Sequence, residues 1–191
     1  TIDASALTAQ ASGVTTFDIA STTLGTGGTA SIIGSEGEDI IGTLGNYSHT
    51  VKGGGEDDSI TGGTSADYFQ GDAGNDTIAG GNGNDTILGG AGNDLITPGT
   101  GTKISVDGGD GNDTVNLDSS LSTNDTVVGG SGTDVLALDA AATATSSQGV
   151  SGFETIRFDT GEIDQDMVQF TANSGITKIV NNVAGSNLFT N

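Results

Sequence analysis

A nine-residue period runs through the middle of this chain and limits what it can fold into. Asp58, Asp67, Asp76, Asp85 and Asp94 stand nine apart, and two residues after each comes an apolar side chain: Ile60, Phe69, Ile78, Ile87 and Ile96. Glycine pairs or near-pairs precede them, as in GDAGNDTIA (71–79), GGNGNDTIL (80–88) and GGAGNDLIT (89–97). A slipped copy follows at GGDGNDTVN (108–116), and weaker ones stand at 33–41, 120–128 and 129–137. A Gly/Asp-rich disordered linker would not keep an apolar residue two places after every Asp.

Each repeat position has a physical task. Glycine accepts positive φ and close backbone approach, so the first residues make a tight turn. The Asp offers a hard oxygen ligand, and the apolar residue points inward from a strand of about three residues. One such unit cannot bury its isoleucine alone, whereas stacked units can, which predicts an all-β solenoid. The charge fits a cation-binding protein: 25 acidic against 4 basic residues give −21. That balance excludes nucleic acid as a partner, because phosphates are neutralised by Lys and Arg. Rows of Asp stacked one coil apart repel unless a cation lies between them, so binding and folding are expected to be one event.

Residues 53–116 resemble the RTX (repeats-in-toxin) family of secreted bacterial proteins. The resemblance implies a right-handed parallel β-roll in which two repeats make one coil. Several Ca2+ ions would lie between turns 18 residues apart, held by Asp carboxylates and backbone carbonyls. Carried over, Asp58, Asp76, Asp94 and Asp113 line one edge, and Asp67 and Asp85 the other. Carbonyls are expected from Gly54, Glu56, Gly71 and Ala73 at the first site of the long edge. At the next they come from Asp72, Gly74, Gly89 and Ala91, and at the third from Gly90, Gly92, Gly108 and Asp110. Gly63, Ser65, Gly80 and Asn82 serve the opposite edge. Glu56 and Ser65 stand where the family has Gly. The repeat PGTGTKISV (98–106) carries Lys103 in the Asp phase; if its inserted residue falls early, Ile104 takes the ligand place and Val106 the inward one. Either way it supplies no carboxylate.

The expected organisation is an irregular β-solenoid lead-in over 1–52, a calcium-binding β-roll over 53–137 and a β-rich solenoid segment over 138–191. In the flanks, Val14–Ile19, Ala30–Ile33, Asp39–Ile41, VLALD (135–139), TIRFD (155–159), MVQFT (167–171) and TKIVN (177–181) read as short strands, and Ala140–Ala144 as a helical turn. TIDASAL (1–7) and GVSGFETIRF (149–158) are similar to segments beside RTX repeats in bacterial S-layer and related surface proteins. That similarity implies a secreted, self-assembling coat protein exported by a type I system. The chain begins at Thr1 without Met, so processing or a longer parent is expected; no signal peptide is read, and no apolar run approaches 18 residues.

Catalytic constellations are not found. His49 is the one histidine, there is no HExxH or GxSxG, and there is no cysteine. His49, after Tyr47 and Ser48, reads as a surface loop residue. The outward positions Ser59, Tyr68, Thr77, Thr86 and Leu95 are too mixed for a flat threonine array that would bind ice. The expected function is a calcium-dependent structural module of a cell-surface layer, without enzymatic activity, that self-associates into a lattice or filament. The alternatives are the secretion and folding tail of an exported enzyme, or an adhesin segment.

Overall fold

The computed structural model describes residues 2–3, 15–18, 29–42, 45–118, 121–138, 149–159 and 175–182. MVQFT (167–171), Ala140–Ala144 and all of TIDASAL but Ile2–Asp3 lie outside them. The described residues form strands and turns with no helix.

The strands alternate between two parallel sheets. The first holds β1 (Ile2–Asp3), β3 (Ala30–Ile33), β5 (His49–Gly55), β7 (Tyr68–Ala73), β9 (Thr86–Ala91), β11 (Ser105–Asp110), β13 (Thr126–Ser131) and β15 (Val150–Ser151). The second holds β2 (Thr15–Asp18), β4 (Asp39–Gly42), β6 (Ser59–Thr61), β8 (Thr77–Ala79), β10 (Leu95–Thr97), β12 (Thr114–Leu117), β14 (Val135–Leu138), β16 (Thr155–Phe158) and β17 (Lys178–Asn181). Each strand pairs in parallel with the strand one coil away, the arrangement of a β-solenoid. The flanking strands join the same two sheets: β3 pairs with β5, and β14 with β16.

The repeat's apolar position supplies the core. Ile32, Val51, Phe69, Ile87, Val106 and Val127 stack inward from one sheet, and Ile41, Ile60, Ile78, Ile96, Val115, Leu136 and Ile156 from the other, all buried. In-register pairs such as Ile60 with Ile78 and Phe69 with Ile87 make each coil the floor of the next. Burying one such side chain contributes about 1.5–3 kcal/mol. The outward residues Ser59, Thr77 and Leu95 share one sheet, while Tyr68 and Thr86 share the other.

One expectation of length is corrected. The second sheet has strands of three or four residues, but β7, β9, β11 and β13 run to six. They continue through the glycine pair, because Gly90 stacks on Gly109 and keeps the ladder intact. Glu56 and Asp72 adopt φ of 62° and 77°, the left-handed region that favours glycine. At Glu56 the departure from the family pattern therefore carries backbone strain.

Candidate metal centre

The corner after β5, β7, β9, β11 and β13 is built from the GGxGxD half of each repeat. Its Asp side chain turns inward beneath the neighbouring coil. Asp58, Asp76, Asp94, Asp113 and Asp134 are each 3% exposed or less. They form a continuous column. The backbone N–H of Asp58 donates to Asp76 Oδ1 at 2.7 Å, that of Asp76 to Asp94 Oδ1 at 2.8 Å, and that of Asp94 to Asp113 Oδ1 at 2.8 Å. Asp113 N–H then donates to Asp134 Oδ1 at 2.8 Å, and at the other end Asp39 N–H donates to Asp58 Oδ1 at 2.8 Å. One carboxylate oxygen of each Asp thus locks adjacent coils together.

The second oxygen has no such role. Oδ2 of Asp58, Asp76, Asp85, Asp94, Asp113 and Asp134, and Oδ1 of Asp39, are buried and accept no hydrogen bond among the described residues. Leaving a buried polar atom unpaired costs about 1–3 kcal/mol, and more for a charged group. Beside each of the six Oδ2 atoms lies a carbonyl from the next coil. A Cβ on Gly53 would lie 2.8 Å from Gly71 O and collide with Asp58 Oδ2. A Cβ on Gly71 would collide with Asp76 Oδ2 and Gly89 O, and one on Gly89 with Asp94 Oδ2 and Gly108 O. The carbonyls of Glu56 and Gly74 point at Gly74 and Gly92 of the next coil, whose φ values are 137° and 136°. Any side chain there would fill the gap between turns.

These carbonyls are the ones the resemblance assigns. Asp72 O and Gly90 O face Gly90 and Gly109 in the same way, and on the other edge Gly63 O and Ser65 O face Gly81 and Gly83. The carbonyls of Gly63, Ala91 and Asp110 each also accept a backbone N–H, from Asn82, Gly74 and Gly92, leaving one lone pair free. Gly80 O lies over Gly62. Gly54 and Ala73 sit on the long edge within the β5 and β7 ladder, and Asn82 bridges Thr100 on the other. Among the described residues no three acidic or histidine side chains converge. A cation here must therefore combine one or two carboxylates with several carbonyls, the donor set of a hard ion such as Ca2+.

The second edge is interrupted. Asp67 N–H donates to Asp85 Oδ1 at 2.8 Å, but Ile104 occupies the next place in the column, buried, with its N–H on Asp125 Oδ1 at 2.8 Å. Val106 pairs with Ile87, so the insertion falls before it. Lys103 is exposed, and its N–H donates to Asn84 Oδ1 at 3.1 Å. An apolar side chain thus fills the room a carboxylate would use. Replacing Ile104 by Asp is expected to add one calcium per chain, read by calorimetric stoichiometry; the parent's count would refute this.

At the start of the same column stands His49, and here the surface reading is corrected. The residue is 3% exposed, its N–H donates to Asp67 Oδ1 at 2.7 Å, and its Nδ1 lies 3.5 Å from the same oxygen. The coil carrying Asp67 covers it, which local sequence does not reveal. Asp39, Asp125 and Asp134 also occupy column places and were missing from the ligand assignment. The weak repeats at 33–41, 120–128 and 129–137 carry the signal for all three.

Burial governs the electrostatics. Desolvation pushes Asp58 and Asp94 up to about 7 and Asp85 to about 6; backbone N–H donation partly offsets this, and neighbouring carboxylates add to it. Asp67, Asp76, Asp113 and Asp134 are raised for the same first reason. Since these folded-state values exceed the unfolded value near 4, protons stabilise the metal-free fold. That stability is fully present below about pH 4 and is lost as pH rises through about 6–7. Protons and cations compete for the same oxygens. The metal-free chain in chelator should accordingly show more β structure at pH 5.5 than at pH 7.5, because protonated carboxyls no longer repel across the coils. Circular dichroism in chelator at the two pH values tests this, and an equal β signal would contradict it.

Comparison with known proteins agrees with this geometry. The family model of the RTX calcium-binding nonapeptide repeat matches in four copies, at residues 45–78, 70–102, 105–119 and 121–140. Residues 45–140 belong to the RTX repeat family. No curated protein and no solved structure matched the chain. RTX repeats bind calcium, and the matched copies contain the Asp residues of the long edge from Asp58 to Asp134. The matched segment ends beyond Asp134, and so takes in column residues the sequence reading had left out.

Proposed function

We propose that the chain is a secreted structural module that folds on binding extracellular calcium and works within a self-assembling bacterial surface layer. The observation that carries the calcium part is the Asp column, whose spare oxygens and facing carbonyls recur at every coil of the long edge. Ions would lie between successive turns, held by Asp58, Asp76, Asp94 and Asp113 with the carbonyls around Gly71, Gly89 and Gly108. Asp67 and Asp85 would hold one more on the second edge. Extracellular calcium modules bind at about 10⁻⁴–10⁻³ M, so the chain would stay unfolded during export and fold outside.

Self-association is supported by the uneven distribution of charge. In a chain of net charge −21, the outward positions of the second sheet from β4 to β17 carry no acidic residue. They present Thr77, Thr97 and Thr114, the exposed Ile40 and Leu95, and the basic Arg157 and Lys178. That face can approach another copy without the repulsion that the rest of the surface imposes. Negative-stain microscopy with and without millimolar calcium tests the assembly. Sheets or filaments that form only with calcium are expected; monodisperse particles in both would favour the folding tail of an exported enzyme.

A further inference from the structure

The Asp column does not stop where the RTX repeats stop. Asp134 N–H donates to Glu154 Oε2 at 2.8 Å, so Glu154 occupies the place that an Asp fills at each coil before it. Glu154 lies in the segment 149–159, outside the residues the family model covers. The corner it closes is shorter than the others. Val128 pairs with Ser151 and Val135 with Thr155, so Gly152, Phe153 and Glu154 do the work of the six residues Gly129–Asp134. A glutamate, one methylene longer than Asp, spans the distance the shortened turn leaves.

We propose that Asp134 and Glu154 hold a further calcium ion at the end of the column, beyond the repeats themselves. Asp134 is 0% exposed, and its Oδ2 has no hydrogen-bond partner among the described residues. That oxygen faces the same spot as the Gly152 carbonyl. A Cβ on Gly129 would lie 2.8 Å from Asp134 Oδ2 and would collide with Gly152 O. The same pair, an unpaired Asp oxygen and the first glycine carbonyl of the next coil, recurs at Gly71, Gly89 and Gly108. Glu154 is fixed in place from above, because its carbonyl accepts the N–H of Thr177 at 2.8 Å and of Lys178 at 3.0 Å. The buried Asp134 oxygen and the Gly152 carbonyl, with the half-buried Glu154 carboxylate held on the Asp134 backbone, supply hard oxygens for a divalent cation. The competing reading is that Glu154 only caps the column by accepting the Asp134 N–H.

The proposal rests on the calcium reading of the repeats, and its test separates the two. Glu154→Gln keeps an oxygen for the Asp134 N–H and removes the charge. Calorimetry should count one calcium fewer per chain than in the wild type, with the β circular dichroism at saturating calcium unchanged. An unchanged count would show Glu154 to be a cap alone. Anomalous diffraction from calcium-grown crystals of the wild-type chain decides the matter even if the variant fails to fold. A peak between the 129–134 and 152–154 corners supports the site, and peaks at the inner corners with none here overturn it. Absence of ions from every corner would overturn the calcium reading itself.

Discussion

In excess chelator at neutral pH the chain is expected to lose its β circular dichroism, and to regain it cooperatively when calcium is restored. Seven buried Asp residues each carry an oxygen without a partner among the described residues. At about 1–3 kcal/mol or more for each, the penalty is roughly 7–21 kcal/mol. A domain of this kind has only about 5–15 kcal/mol of net stability to set against it. Stacking the carboxylates adds repulsion: Asp76 and Asp39 both raise the pKa of Asp58, after desolvation, the largest cause. The thin core cannot absorb such a cost, because each strand from β6 to β11 contributes one inward apolar side chain. A cation removes the penalty and the repulsion together and ties coil to coil, so calcium affinity appears as folding free energy. Persistence of the native β spectrum in chelator would contradict this account.

Replacing Asp76 by Ala is expected to do far more damage than replacing Asp67. Asp76 stands mid-column: its Oδ1 accepts the Asp58 N–H, its own N–H reaches Asp94 Oδ1, and its Oδ2 is unpaired beside Gly89 O. Truncation leaves a buried N–H at Asp58 without its acceptor, about 1–3 kcal/mol, and weakens the ion on either side. Asp67 stands near the start of the interrupted edge. Its Oδ1 accepts from His49, and its Oδ2 is already met by the Gly63 N–H at 3.4 Å. It can take part only in the ion shared with Asp85. Calorimetry should therefore show a loss of about two calcium ions for Asp76→Ala against one for Asp67→Ala, with a higher calcium midpoint for folding in the first. Asp76→Asn, which keeps an acceptor for Asp58, should recover part of the fold but not the ions. Equal losses for the two alanine variants would mean that the edges are assigned wrongly.

Where the repeats keep their phase, sequence and structure agree residue by residue. Asp58, Asp76 and Asp94 are 18 apart, and so are the hydrogen bonds that join them. Ile60, Phe69, Ile78, Ile87 and Ile96 point inward as their period requires. The flanks were legible only as short strands. Spacing along the column widens to 19 between Asp94 and Asp113, 21 between Asp113 and Asp134, and 20 between Asp134 and Glu154. A fixed period cannot follow such insertions, although the corners absorb them without disturbing the ladder.

The sequence by itself determined the all-β solenoid, the inward row and the central Asp column, because one short repeat sets turn, acidic residue and core residue together. The stacking of coils decided the rest. It buried His49 under the coil of Asp67, put Ile104 rather than Lys103 in the broken place, and set Glu154 against Asp134. Which residue lies above another depends on the length of every corner between them, and that is settled only when parallel strands pair across a whole coil.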